Sequence, residues 1–225
     1  MCTKRAFACF LALIVLLTQV VGATAAEKRK SAAERPEESE ADYTRAIEQR
    51  TSDIMVVLNL QDSGKSNRVH DLIIAQYRGL RAWHDTNDAR LKALSRETAG
   101  AKELDQIQTS LKAQHTNFIS GLSRELPPCQ VEAVKDKMTY GTVKVTYDAY
   151  CQMIPTLTDS EKARILELLK QGREEAMDGG SSQEKAAIFK KYKGRINNYL
   201  AAQGHDVEKD RKEWLAREKS KNKSD

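Results

Sequence analysis

The run TDSEKARILELLKQGREEAMDGGSSQE, residues 158–184, decides the fold class. Thr158 and Glu161 have the spacing of a capping box, in which a hydroxyl and a carboxylate satisfy the free amides of a first helical turn. Ile165, Leu166, Leu169 and Ala176 then recur at helical spacing, and Gly179-Gly180 supplies the stop. Ser181 and Glu184 repeat the box at once, so one helix is followed by another across a tight turn.

Toward the C-terminus the second of these helices carries Phe189, Tyr192, Ile196 and Leu200 as far as Gly204, and a last amphipathic piece carries Val207, Trp214 and Leu215. Toward the N-terminus, Tyr147 to Ile154 reads as a short helix stopped by Pro155. The β-branched stretch Thr142 to Thr146, after the turn Thr139-Tyr140-Gly141, reads as an extended connection or single short strand. Pro127-Pro128 ends one helix and starts another bearing Val131, Val134 and Met138. Three longer segments precede it. The first places Tyr43, Ile47, Ile54 and Leu58 on one seam; the second, Ser66 to Glu97, Val69, Ile73, Leu80, Leu91 and Leu94; the third, Ala101 to Leu126, Leu104, Ile107, Leu111, Phe118 and Leu122. The expectation is an all-α, single-domain bundle of about seven helices over residues 42–219, with a charged tail at 220–225.

The ends bound the compartment. Lys4 and Arg5, an apolar run from Ala6 to Val21 and the small-x-small pattern Ala23-Thr24-Ala25 make residues 1–25 a cleavable export signal. The run is shorter than the roughly 20 residues a bilayer span needs, so no stable membrane insertion is expected after cleavage. Residues 26–41 mix charge with Ala, Ser and Pro, contain no aromatic or branched apolar residue, and read as a disordered leader. Cleavage leaves Cys129 and Cys151, whose spacing is compatible with one disulfide or with two half-buried thiols. Positive and negative residues are interspersed throughout, a solvated surface rather than a nucleic-acid footprint.

Polar residues interrupt the helical seams in one layer. If the second and third segments form an antiparallel hairpin turning near Ala99, His84 and His115 lie at the same height, about 22–24 Å from the turn at 1.5 Å per residue, with Trp83, Asp85 and Asp88 beside them. Three readings stay open: solvated histidines where the hairpin splays, a polar pocket walled by Trp83, or a zinc site, although no His-Glu-x-x-His motif supports a metal. No Gly-rich phosphate loop, nucleophile elbow or cysteine in a nucleophile context occurs, and no cofactor is expected. Glu174 and Asp178, one turn apart, are either an acid–base pair or a solvated face.

Two helix starts share a pattern, Leu126-Pro-Pro-Cys-Gln130 with Val134 and Leu157-Thr-Asp-Ser-Glu161 with Ile165. They are two ordinary capped helices or a repeat similar to the Leu-Thr-x-x-Gln motif of helical periplasmic chaperones. A broader resemblance rests on Met138-Thr-Tyr-Gly141, Arg173 to Ser182, Tyr192 to Leu200 and Trp214. These stretches resemble a family of exported bacterial proteins catalogued as domain of unknown function 3826, over about Tyr43 to Arg217. The resemblance implies sugar binding, and brings no established catalytic residues. Sugar sites pair an aromatic face with amide, carboxylate and guanidinium groups, which makes Tyr140, Tyr192, Arg195, Asn197 and Asn198 candidates beside Trp83, His84 and His115. For the tyrosines and asparagines the alternative is a core and loop-bonding role.

The expected function is that of an exported, periplasmic or secreted helical protein that binds carbohydrate without catalysis; a chaperone or protein-interaction module is the alternative, and a glycan-active enzyme a third. Purified mature protein should start at or near Ala26 and give a helix-dominated circular dichroism spectrum. An intact mass retaining Met1 contradicts export, and a strand-dominated spectrum contradicts the fold.

Overall fold

Helices form wherever the apolar spacing is helical, and polar or glycine punctuation separates them. A computed structural model describes residues 39–94 and 100–221. The expected signal, nearly all of the expected leader and the hairpin turn expected near Ala99 lie outside the described residues. The described residues form α1 (Glu40–Leu58), α2 (Ser63–Leu94), α3 (Ala101–Glu125), α4 (Pro128–Met138), α5 (Thr142–Met153), α6 (Asp159–Met177), α7 (Ser182–Ala202) and α8 (Val207–Lys221), with no strand among them. The chain divides into two compact units, Met1–Arg45 and Ala46–Asp225. In the first, the Ser39 hydroxyl accepts the Asp42 amide at 3.1 Å and caps α1, so the helix begins just inside the expected leader.

Helices α2 and α3 are an antiparallel hairpin whose register is visible in successive contacts. Arg90 pairs with Glu103, Trp83 bonds Ser110, Gly79 meets Gln114, Leu72 meets Gly121, and Arg68 pairs with Glu125. One number falls as the other rises in step. The hairpin is therefore centred a few residues before Ala99, and His115 sits about six residues, or about 9 Å, further along α3 than the position level with His84. The expectation that the two histidines stand opposite one another is corrected by this register.

Of the other helices, α4, α5 and α7 pack against α6, while α8 covers α5 and α7. Ile47, Ile54, Ile73, Leu122, Met138, Ile154, Ile165, Leu169, Met177, Ile196 and Leu200 are among the fully buried core side chains. The Thr158–Glu161 capping box is complete, and the Glu161 carboxylate also meets His205 at 2.9 Å. At the second box the Ser181 hydroxyl accepts the Glu184 amide, but the Glu184 carboxylate turns to the Gly180 amide at 2.8 Å. The shared helix starts diverge likewise: Gln130 does not cap α4, and its amide donates to the Leu58 carbonyl at the end of α1, 3.1 Å away. Arg217 does the same service for α5, donating to the Gln152 and Met153 carbonyls at 3.2 and 3.3 Å.

One element differs outright from the sequence reading. Residues 142–146 are not extended but are the first turns of α5. Tyr140 and Gly141 take left-handed φ values of 60° and 64°, the Gly141 amide returns to the Asp136 carbonyl at 2.7 Å, and the chain reverses into a new helix. Burial of Val143, Tyr150 and Met153 on one face outweighs the β preference of the threonines and valines. Cys129, exposed on the first turn of α4, and Cys151, half-buried on α5, are free thiols, so the disulfide alternative is not formed.

Glycine 172 decides how closely α7 approaches α6. A Cβ there would lie 2.9 Å from the Tyr192 ring, whereas a Cβ on Gly194 meets nothing within 4 Å. Gly172→Ala should therefore cost about 1–3 kcal/mol through overpacking, and Gly194→Ala should gain up to about 1 kcal/mol from helix propensity. Urea midpoints measure both; equal shifts of the same sign would contradict this packing.

Candidate functional site

Helix α6 presents its last carbonyls at the negative end of its dipole, and cationic groups from three other helices gather there. The buried Lys185 ammonium of α7 donates to the Ala176 and Met177 carbonyls at 3.0 and 3.2 Å. His84 of α2 donates through Nε2 to the Asp178 carbonyl at 2.7 Å and through Nδ1 to the Asp88 carboxylate at 2.8 Å. His115 of α3 donates through Nδ1 to the Asp178 carboxylate at 2.8 Å, with its Nε2 3.6 Å from Glu174. The two histidines thus meet through Asp178. Gly180 permits this, because a Cβ there would lie 2.7 Å from the His84 ring. Trp83 completes the layer, its ring at 5.0 Å and nearly perpendicular to His84, and its N–H donating to Ser110 at 2.8 Å.

The network continues along α6. Glu174 pairs with Lys135 of α4 at 3.0 Å, and the Arg173 guanidinium, only 3 % exposed, reaches Glu132 and Asp136 on the same helix. The bond to Asp178, then the one to Glu174, raises His115 from 6.5 to about 9. Burial alone would raise Glu174; the His115 and Lys135 partners overcome it and hold the carboxyl at about 2. Burial opposes a proton on His84, but the Asp178 carbonyl and Asp88 prevail and its pKa is raised. Burial pushes Lys185 down to about 8.

Of these groups, His115, Glu174 and Asp178 line a groove of ≈ 300 Å³ with Gln108, Leu111, Lys112 and Glu175. Its chemistry is that of a locked ion network. The Asp178 and Glu174 carboxylates favour a protonated His115, and the His115 and Lys135 partners favour an ionised Glu174, so these groups are held as ion pairs. Among the described residues no three of His, Cys, Asp and Glu are arranged to hold a metal.

A second, larger concavity of ≈ 610 Å³ lies at the Tyr140 turn. Its walls come from α1 (Arg50, Asp53, Ile54, Val57), α2 (Tyr77), α4 (Ala133, Asp136, Lys137) and the start of α5 (Lys144), with Tyr140 and Gly141 at the rim. Tyr140 is 54 % exposed and keeps its left-handed backbone without a glycine's freedom, an arrangement that costs energy and concentrates at binding sites.

The α7 candidates stand apart, and none of them is among the described residues lining either concavity. Tyr192 is buried against Gly172, with the Arg195 guanidinium 4.7 Å and the Lys191 ammonium 5.4 Å from its ring centre. Asn197 accepts the Tyr150 hydroxyl at 2.6 Å, a helix-to-helix bond, while Arg195 and Asn198 are exposed. Gly194 makes no close approach. Sequence reasoning missed Asp178 as the meeting point, Lys185 as a cap, and Arg50, Asp53, Asp136 and Lys137 as cleft walls. Only Asp178, directly before Gly179-Gly180 at a helix end, carried a local signal.

Among the described residues the secondary structure is all helical, with an ion-paired network at the end of α6 and an open cleft carrying an exposed aromatic. Residues 44–220 match the family model described as a protein of unknown function (DUF3826), and the chain belongs to that family. No curated protein matches it.

The raised His115 pKa has a consequence for stability with a definite sign. Its contribution is fully present below the unfolded value of 6.5 and is lost as pH rises through about 9. Lys185 acts oppositely, since its burial penalty is relieved between about 8 and 10.5. His115→Gln should therefore lower stability by about 2 kcal/mol near pH 6 and by much less near pH 10. Urea unfolding at the two pH values checks this, and equal losses at both would contradict it.

Proposed function

We propose that this chain is an exported, non-catalytic binding protein that holds carbohydrate in the Tyr140 cleft. The observation that carries the reading is Tyr140 itself: an aromatic ring held out in solvent, on strained backbone, at the rim of the larger concavity. A sugar's apolar face stacks on such a ring, and the surrounding carboxylate, ammonium and guanidinium groups supply partners for its hydroxyls. Export is supported by the N-terminal charge, apolar run and small-x-small pattern; no helix among the described residues is long and apolar enough to cross a membrane.

A second reading, an interaction module for protein segments, is favoured by Val56 and Val57, which are 75 % and 48 % exposed on α1. A glycan array with purified protein separates the two. Tyr140→Asn should then weaken binding of an array ligand about tenfold, roughly 1.4 kcal/mol, while leaving the melting temperature unchanged or raised, because asparagine tolerates the left-handed region. No glycan binding, or binding indifferent to Tyr140, would contradict the assignment.

A further inference from the structure

The cleft around Tyr140 has an unbalanced charge. Three cations, Arg50, Lys137 and Lys144, line it against two carboxylates: Asp136, which the buried Arg173 bonds, and Asp53, which accepts the neutral Gln49 amide at 3.0 Å and keeps its charge. Of its three cations, Lys144 is paired with Asp148 at 2.6 Å. The other two, Arg50 and Lys137, are exposed and have no ion-pair partner among the described residues. They come from different helices, α1 and α4, and both line the concavity whose rim carries the exposed ring.

Arg50 is also close enough to the buried Lys185 ammonium to disfavour its charge. Arg50 thus carries a repulsion within the fold, and Lys137, on α4, has no ion-pair partner among the described residues. An anion placed at Arg50 relieves that repulsion as well as pairing with the guanidinium, whose planar fork fits a carboxylate through two parallel N–H bonds.

We infer that the ligand of the cleft is an acidic saccharide, a uronic-acid-containing oligosaccharide whose ring stacks on Tyr140 while its carboxylate is held by Arg50 and Lys137. This rests on the carbohydrate reading and adds the charge of the ligand. A neutral sugar would use the same aromatic face but leave both cations unanswered. Exposed ion pairs are screened by salt, so recognition by this route weakens as ionic strength rises, whereas stacking on Tyr140 does not.

The test is calorimetric titration of the protein with oligosaccharides of galacturonic, glucuronic and mannuronic acid, each beside its methyl ester and beside a sulfated neutral oligosaccharide. At least one uronate should bind about tenfold more tightly than its ester at low salt. Arg50→Gln and Lys137→Gln should each remove most of that difference without altering the ester's affinity, and circular dichroism should show both variants folded. Equal binding of acid and ester, dependent on Tyr140, overturns the inference and leaves the carbohydrate reading standing. Preference for the sulfated ligand over every uronate overturns the carboxylate assignment. Absence of binding to every saccharide overturns both.

Discussion

The C-terminus of α6 is the constraint on which the surrounding helices depend. A helix end presents carbonyls that nothing within the helix can satisfy, and here they are buried rather than left to water. Lys185 fills that need from α7, and His84 and His115 from α2 and α3 take the carbonyl and the carboxylate of the next residue, Asp178. Each donor is cationic or favoured as a cation, which suits the negative end of the dipole. The position of the α2–α3 hairpin against α6 is thereby set by charge-assisted bonds, whose geometry is narrower than that of apolar contact. Burying Lys185 is costly, and the two carbonyl bonds at its ammonium are what offset that cost.

The same chain of charges reaches the cleft. From Asp178 it passes through His115, Glu174 and Lys135 to Glu132, Arg173 and Asp136, the last of which is a cleft wall. Arg173 is the joint: almost wholly buried, it bonds Glu132 and Asp136 of α4 and Glu174 of its own helix, and so ties the network to a cleft wall. Asp136 has a second role, since its carbonyl accepts the Gly141 amide and closes the turn that holds Tyr140 outward. Rigidity in the bundle and presentation of the aromatic ring therefore draw on one residue.

Much of the fold was legible because helical spacing and capping are local signals. The Thr158–Glu161 box, the Gly179-Gly180 stop and the prolines at 127 and 128 mark their helices from a few adjacent residues. The stretch 142–146 was misread for the converse reason: its β-branched residues favour extension locally, and only the burial of Val143, Tyr150 and Met153 makes it a helix. That His84 and His115 converge was legible, but neither their different heights along the hairpin nor their shared partner Asp178 was. The hairpin register depends on how far α2 continues, which periodicity does not mark, and the bond to α6 is tertiary. Tyr140 stood out as an aromatic beside a glycine in a turn, whereas Arg50 is one of many surface arginines until α1 is laid beside α4. The asparagines of α7 looked like ligands because they are poor helix formers, and Asn197 instead answers the hydroxyl of buried Tyr150.

The claim that cations converge on the end of α6 is tested most directly by a nuclear magnetic resonance titration of the histidine rings. The account predicts that the His115 imidazole stays protonated through neutrality and titrates near 9, held there by Asp178 and Glu174. It further predicts that Asp178→Asn brings this value down toward 6.5. A His115 ring that titrates near 6.5 in the unaltered protein would contradict it.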